Sequence, residues 1–214
     1  EAAQGTFVSF LDSDDEWDPG MLTSVLAKFR SDEELGWVYT AYRFQDAEGY
    51  VQGPLCGSVQ GWAYAEALEQ GHVSPPTAFS VRRTCFDLVG TFDPDNLFCN
   101  DDVMCLKLAK AFKVGRVAEV LATKHEDGGT QVSGNPVAVA ADWDRLLLQF
   151  RADIVALCGR ATMARHYADS GAQLLDARDE PDAPLIDHVV AAEEDPGPIL
   201  RRLHEVAQRG DGAV

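Results

Sequence analysis

The sequence predicts an α/β fold followed by an all-helical C-terminal third. Three observations carry this. Short apolar runs bounded by polar residues alternate with amphipathic stretches up to residue 121. The run Phe7–Leu11 passes directly into an acidic cluster, Asp12, Asp14 and Asp15. Beyond Pro136 the apolar positions Trp143, Leu146, Leu147, Phe150, Ile154 and Leu157 keep helical spacing, and no strand pattern returns.

Taken in order, residues 6–11 read as a buried strand. Asp18-Pro19 reads as a helix start, with Asp as N-cap and Pro at the first helical position. The helix then carries Met21, Leu22, Val25, Leu26 and Phe29 and ends near Arg30. Residues 37–42 form a second strand, and Asp46–Tyr50 ("DAEGY") a hairpin turn into a third. A short helix over 61–70 stops at Gly71, and residues 77–81 make another strand. Residues 82–89 form a helical turn closed by Gly90, 101–112 a helix and 114–121 a strand. Further helical pieces are expected over 160–176 and 185–208. The domain division expected is 1–135 and 136–214.

The 214 residues are 46% hydrophobic, enough for a packed core. No apolar run approaches the roughly 20 residues of a membrane helix, and the N-terminus has no signal-peptide pattern. The expectation is a cytoplasmic protein with no integral membrane segment. The formal charge of -17, from 35 acidic and 18 basic residues, argues against a nucleic-acid partner, which needs a positive field. Five cysteines, without a C-x-x-C pair, argue against a disulfide framework or a zinc site.

Clustered carboxylates at a strand end repel one another and suit a hard cation. Magnesium and manganese prefer such oxygens and add phosphate oxygens as ligands. A calcium loop fails on spacing. Counted from Asp12, the sixth position is Trp17 and the twelfth Thr23, where Gly and Glu are required. A solvated acidic turn would give the same residues, so the motif alone does not decide.

The surrounding residues add to it. "GTFVSFLDSDDEWDPGML" resembles the centre of the family 2 glycosyltransferases, of GT-A fold, where an apolar strand enters an "FLDxDD-W-P--L" segment. "SVRRTCFDLVGTFDPDNLFCNDDVMCLKLAKAFKVGRV" is similar to the family's later block, in which "VG-FD" precedes an acidic "ED" pair opening a helix. That register sets Asp101 on the family's Asp, Asn100 on its Glu and Asp102 on a variable position. "LATKHEDGGTQVS" resembles the strand and His-containing loop that close the site. The three blocks span residues 5–133.

The resemblance implies an inverting transfer of sugar from a nucleotide diphosphate sugar to the hydroxyl of a glycan, lipid-linked or small-molecule acceptor. It implies a divalent metal, Mn or Mg, held by Asp14 with Asp12. Asp12, Asp14 and His125 would contact the donor, Asp15 would support them from behind, and Asp101 would be the base, with Asp102 its rival. For Asp15 the plainer expectation is a surface acid near the helix. His72, His166, His188 and His204 are expected to be structural or solvent-facing. Asn100 departs from the family's acid. The sequence also begins at the loop before the D-x-D strand, so it resembles the C-terminal part of a longer enzyme, and residues 1–214 alone are expected to be inactive. Two alternatives stand beside this: a nucleotidyltransferase-like protein, which lacks a Gly-rich phosphate loop here, and a degenerate, non-catalytic transferase domain that binds a partner.

Overall fold

The computed structural model describes residues 3–94, 96–126 and 136–176. The chain divides into two compact units, Glu1–Pro94 with Asn100–Gln131, and Asp95–Cys99 with Val132–Val214.

The first unit is a mixed α/β structure built on a six-stranded sheet. Its strands are β1 (Phe7–Ser9), β2 (Glu16–Trp17), β3 (Leu35–Asp46), β4 (Val51–Leu55), β5 (Phe79–Arg82) and β6 (Lys113–Glu126). The order is β1-β5-β3-β6-β2, with β4 also on β3. β3 and β6 run parallel, and every other pair is antiparallel. β3 is the axis of the unit. Its residues 35–42 are buried, and its aromatic and β-branched content suits a central strand.

Helix α1 (Met21–Ser31) buries Met21, Val25 and Phe29, four residues apart, against Leu35, Val38 and Leu121. Phe7 stacks on Phe29 at 4.3 Å, which ties β1 to this layer. The helix begins later than Asp18-Pro19 predicts. Asp18 donates its backbone N–H to Leu121 O at 2.9 Å, so it is held at the sheet and one more turn is needed. Gly20 takes the N-cap position, and the Asp18 carboxylate instead pairs with Arg43 at 3.1 Å.

Helix α2 (Tyr64–Gln70) ends at Gly71, whose φ of 78° lets its N–H return to Ala67 O. A short 3-10 turn at Pro76–Ala78 replaces the start of the strand expected from Thr77, because Pro75 and Pro76 have no N–H for a ladder. A second 3-10 turn (Arg83–Cys85) leads into α3 (Phe86–Val89), which closes at Gly90 as the sequence indicates. Helix α4 (Asn100–Ala111) buries Val103, Met104, Cys105, Leu106, Leu108 and Ala109. Phe112 lies against Gly36 of β3 so closely that a Cβ there would come within 2.4 Å of the ring's Cβ.

β6 runs five residues beyond the expected end at 121. Its second half gains partners on both sides, Tyr42–Asp46 of β3 and Glu16–Trp17 of β2. This places His125 on a strand rather than in a loop.

The second unit contains α5 (Pro136–Leu157) and α6 (Arg160–Asp176), reversed at Gly159, whose φ is 91°. Leu146, Leu147, Phe150 and Ile154 of α5 and Met163 and Tyr167 of α6 are buried. Asp142 Oδ2 accepts the backbone N–H groups of Leu97 and Phe98, which fixes these two residues to this unit. The helix expected over 185–208 lies outside the described residues.

Candidate functional site

The loop after β1 is pinned by side chains of the sequence signature itself. Asp12 donates its N–H to Thr77 Oγ1 at 3.2 Å, and the Trp17 indole N–H donates to Thr77 O at 2.7 Å. Asp15 N–H closes a tight turn onto Asp12 O at 3.2 Å. β2 then lays Glu16 and Trp17 against Thr123 and Ala122 of β6. The Trp of the acidic segment is therefore an anchor, and it sets where the aspartates point.

The three aspartates separate into two roles. Asp12 and Asp14 are exposed, while Asp15 is turned inward with 8% exposure. Asp15 Oδ1 accepts the His125 backbone N–H at 3.1 Å, and its other oxygen, Oδ2, is buried with no hydrogen-bond partner among the described residues. Asp15 is thus not the surface acid that its position beside a helix suggests. Partial loss of water raises the Asp12 carboxyl above the usual carboxylate range. The charges of Asp15 and Asp14 raise it further, and Lys124 opposes them.

The second group sits at the start of α4. The Asn100 side chain accepts the Asp93 N–H at 3.0 Å and donates to Asp93 O at 2.8 Å. A carboxylate could accept but not donate, so Asn at this position closes the preceding loop in a way an acid cannot. Asp101 and Asp102 follow in the first helical turn. Asp102 is 7% exposed, and its Oδ1 lies 2.5 Å from Nδ1 of His72, the residue just past the Gly71 cap. The His72 side chain is 45% exposed. Burial pushes the Asp101 carboxyl up to about 7, Asp102 adds to the push, and His72 and Lys124 oppose it. Burial would lower the His72 imidazole, but the hydrogen bond and charge of Asp102, with Asp101, outweigh it and raise it.

Two residues link the groups. Lys124 of β6 acts electrostatically on Asp12, on Asp101 and on His72. Tyr42 of β3 is raised first by burial and then by Asp102 and Asp101. The D-x-D loop and the start of α4 therefore share one electrostatic field at the end of the sheet where β3 and β6 finish.

Among the described residues, His72, Asp101 and Asp102 form a group with three ligand atoms within 4.8 Å of one another. Asp12, Asp14 and His125 do not join such a group. The His72–Asp102 contact nevertheless fits a shared proton better than a cation. Two ligands at right angles around an octahedral ion of about 2.1 Å bond length stand about 3 Å apart, wider than the 2.5 Å seen here. In the loop, Asp12 is crowded by two negative neighbours, and Asp15 Oδ2 is buried with no hydrogen-bond partner among the described residues, but the three aspartates do not form a compact ligand group. His125 is brought to the same loop, with Nε2 3.8 Å from Glu16 Oε1 and its side chain 18% exposed.

Sequence reasoning missed His72 and the inward turn of Asp15. The one signal for His72 was its place directly after a helix-stopping glycine, which fixes a side chain at the end of α2. No local pattern links it to Asp102, 30 residues away.

No curated protein matches the chain. The family model described as Glycosyl transferase family 2 matches residues 1–56. The matched stretch contains β1, the acidic loop, β2, α1 and β3, whereas Asp101 and His125 lie beyond it. The segment that carries the acidic loop, with β1, β2, α1, β3 and β4, is thus the part of this chain that bears the signature of the Glycosyl transferase family 2, while the loop's anchors at Thr77 and on β6 lie outside it.

Proposed function

We propose that the chain serves an inverting glycosyl transfer on a GT-A-type domain, moving a sugar from a nucleotide diphosphate sugar to an acceptor hydroxyl. The observation that carries the reading is the match of the Glycosyl transferase family 2 model to residues 1–56, which hold the acidic loop that Asp15 ties to β6 at the His125 N–H. Such a transfer needs two poles, one for the leaving diphosphate and one for the acceptor proton.

Asp14 and Asp12, the two exposed carboxyls of the loop, would hold the divalent metal, Mn or Mg. When bound, that ion supplies positive charge against the charge building on the departing diphosphate. Asp15 and Trp17 fix the loop so that its exposed carboxyls stay in place. His125 sets one edge of the loop through its backbone N–H and lies near the donor side. Asp101 is half-buried at a helix start, and we assign it as the base that takes the acceptor proton. Asp102 is committed to His72 and is the poorer candidate. The acceptor class, a glycan, a lipid-linked sugar or a small molecule, is set by surfaces around Asp101. Within this reading residues 1–135 are the transferase part, 136–214 a helical appendage, and the reaction is cytoplasmic.

The test is a screen of uridine, guanosine, adenosine and thymidine diphosphate sugars for hydrolysis and transfer, with and without manganese. It is run on residues 1–214 and on the chain as its gene encodes it. Asp101→Asn should retain donor binding and lower turnover by roughly 10²–10⁴-fold, the usual contribution of a positioned base. Asp102→Asn should cost less. Equal turnover in Asp101→Asn and the parent would remove Asp101 from its role.

A further inference from the structure

We propose that His72, fixed by Asp102, is a cationic counterweight that favours the ionised form of the Asp101 carboxyl, a positioning residue for the base. The proposal rests on the transfer reading above. Its geometry stands by itself.

Asp101 and Asp102 are consecutive on the first turn of α4, and the ligand atoms of His72, Asp101 and Asp102 lie within 4.8 Å of one another. Two carboxylates in one poorly hydrated corner cannot both ionise cheaply, and the helix dipole offsets only part of that cost. Cys105, one turn along, is fully buried and offers no charge. The compensation comes from another element. His72 follows α2 and places Nδ1 2.5 Å from Asp102 Oδ1. One side of the ring is thus occupied by a buried carboxyl, and nearly half of the side chain stays in water, where it can take up a proton.

Among the described residues, two further groups act on this corner. Lys124 comes from β6 and acts on both His72 and Asp101. Tyr42 comes from β3, and burial holds its phenol neutral. Asp101 itself feels burial first, then Asp102, and His72 leads the groups that oppose them. The reacting step needs Asp101 ionised. The acceptor oxygen bonds to the anomeric carbon, the bond from that carbon to the phosphate oxygen breaks with its electron pair on the diphosphate, and the acceptor proton passes to the Asp101 carboxylate. With His72 protonated, Asp101 is available for this at a lower pH than without it.

The experiment is a carboxyl ¹³C NMR titration of Asp101 in the 214-residue chain, with, as a second readout, the pH profile of donor hydrolysis by the chain as its gene encodes it. His72→Gln removes the positive charge and should move the Asp101 midpoint up by about one unit. Asp102→Asn removes the neighbouring negative charge and should move it down. The acid limb of the hydrolysis profile should follow each shift, which a purely structural role would not produce. If either variant fails to fold, the sign of the other still decides. An unchanged or lowered midpoint in His72→Gln, or a raised one in Asp102→Asn, would overturn the proposal. Absence of turnover in every form would refute the transfer reading while the titration still settled the role of His72.

Discussion

Asp12, Asp14 and Asp15 stand within four residues, yet they meet three different surroundings. Asp14 is in water, Asp12 is crowded by its neighbours, and Asp15 is under the loop with one oxygen on the His125 amide. The side-chain direction is set by β2, which is only two residues long and invisible to any periodicity argument. The cluster itself was legible from sequence, because three carboxylates after an apolar strand stand out. Their division of labour was not, since it depends on a pairing with β6 more than 100 residues away. The same holds for His72, whose partner is brought in by tertiary packing. A prediction at this scale follows for Asp15. Asp15→Ala should speed hydrogen exchange of the His125 amide by several-fold to tenfold, the loss of one net hydrogen bond of about 1 kcal/mol. Asp14→Ala should leave that amide unchanged. Faster exchange in Asp14→Ala, or none in Asp15→Ala, would contradict the assignment.

Among the elements, those with strong local signals came out as read. The hairpin at Asp46–Tyr50, the Gly71 and Gly90 stops and helix α4 are all present, whereas the α1 stripe is narrower than expected, with Met21, Val25 and Phe29 buried and Leu22 50% exposed. The differences lie where tertiary contacts extend or delay an element. β6 is lengthened by partners on both sides, and α1 starts late because Asp18 is bonded to Leu121. Helix α5 carries a feature that its apolar stripe hides. Asp144 is 2% exposed, its Oδ2 has no hydrogen-bond partner among the described residues, and burial pushes its carboxyl up to about 7. Its charge also helps burial to push the Tyr167 hydroxyl up to about 12. The folded-state value lies above the ordinary carboxylate value of 3.8, so the fold favours the protonated form. That stability is fully present below about pH 4 and is lost as pH rises through about 7. Asp144→Asn stays neutral at every pH. In urea unfolding followed by helical circular dichroism, its advantage over the parent should grow between about pH 4 and 7 and then level off, at the order of a few kcal/mol. A difference independent of pH would show that Asp144 is not the titrating group.

For the whole molecule, the described residues contain no helix long and apolar enough to cross a membrane. The formal charge of -17 favours cations over anions around the acidic groups of the loop after β1 and of the start of α4. Two cation-binding schemes compete there. One centres on the exposed carboxyls of Asp12 and Asp14, and the other on His72, Asp101 and Asp102, whose ligand atoms lie within 4.8 Å of one another. The proposed transfer requires the first, because a metal on the second would occupy Asp101, the proposed base. The most direct measurement is paramagnetic broadening by Mn²⁺ in NMR spectra of the 214-residue chain, with diphosphate present. The account predicts the steepest broadening at Asp12–Glu16, weaker broadening at His72, Asp101 and Asp102, and loss of both in Asp14→Asn. Broadening centred on His72, Asp101 and Asp102, with the Asp12–Glu16 signals sharp, would contradict it.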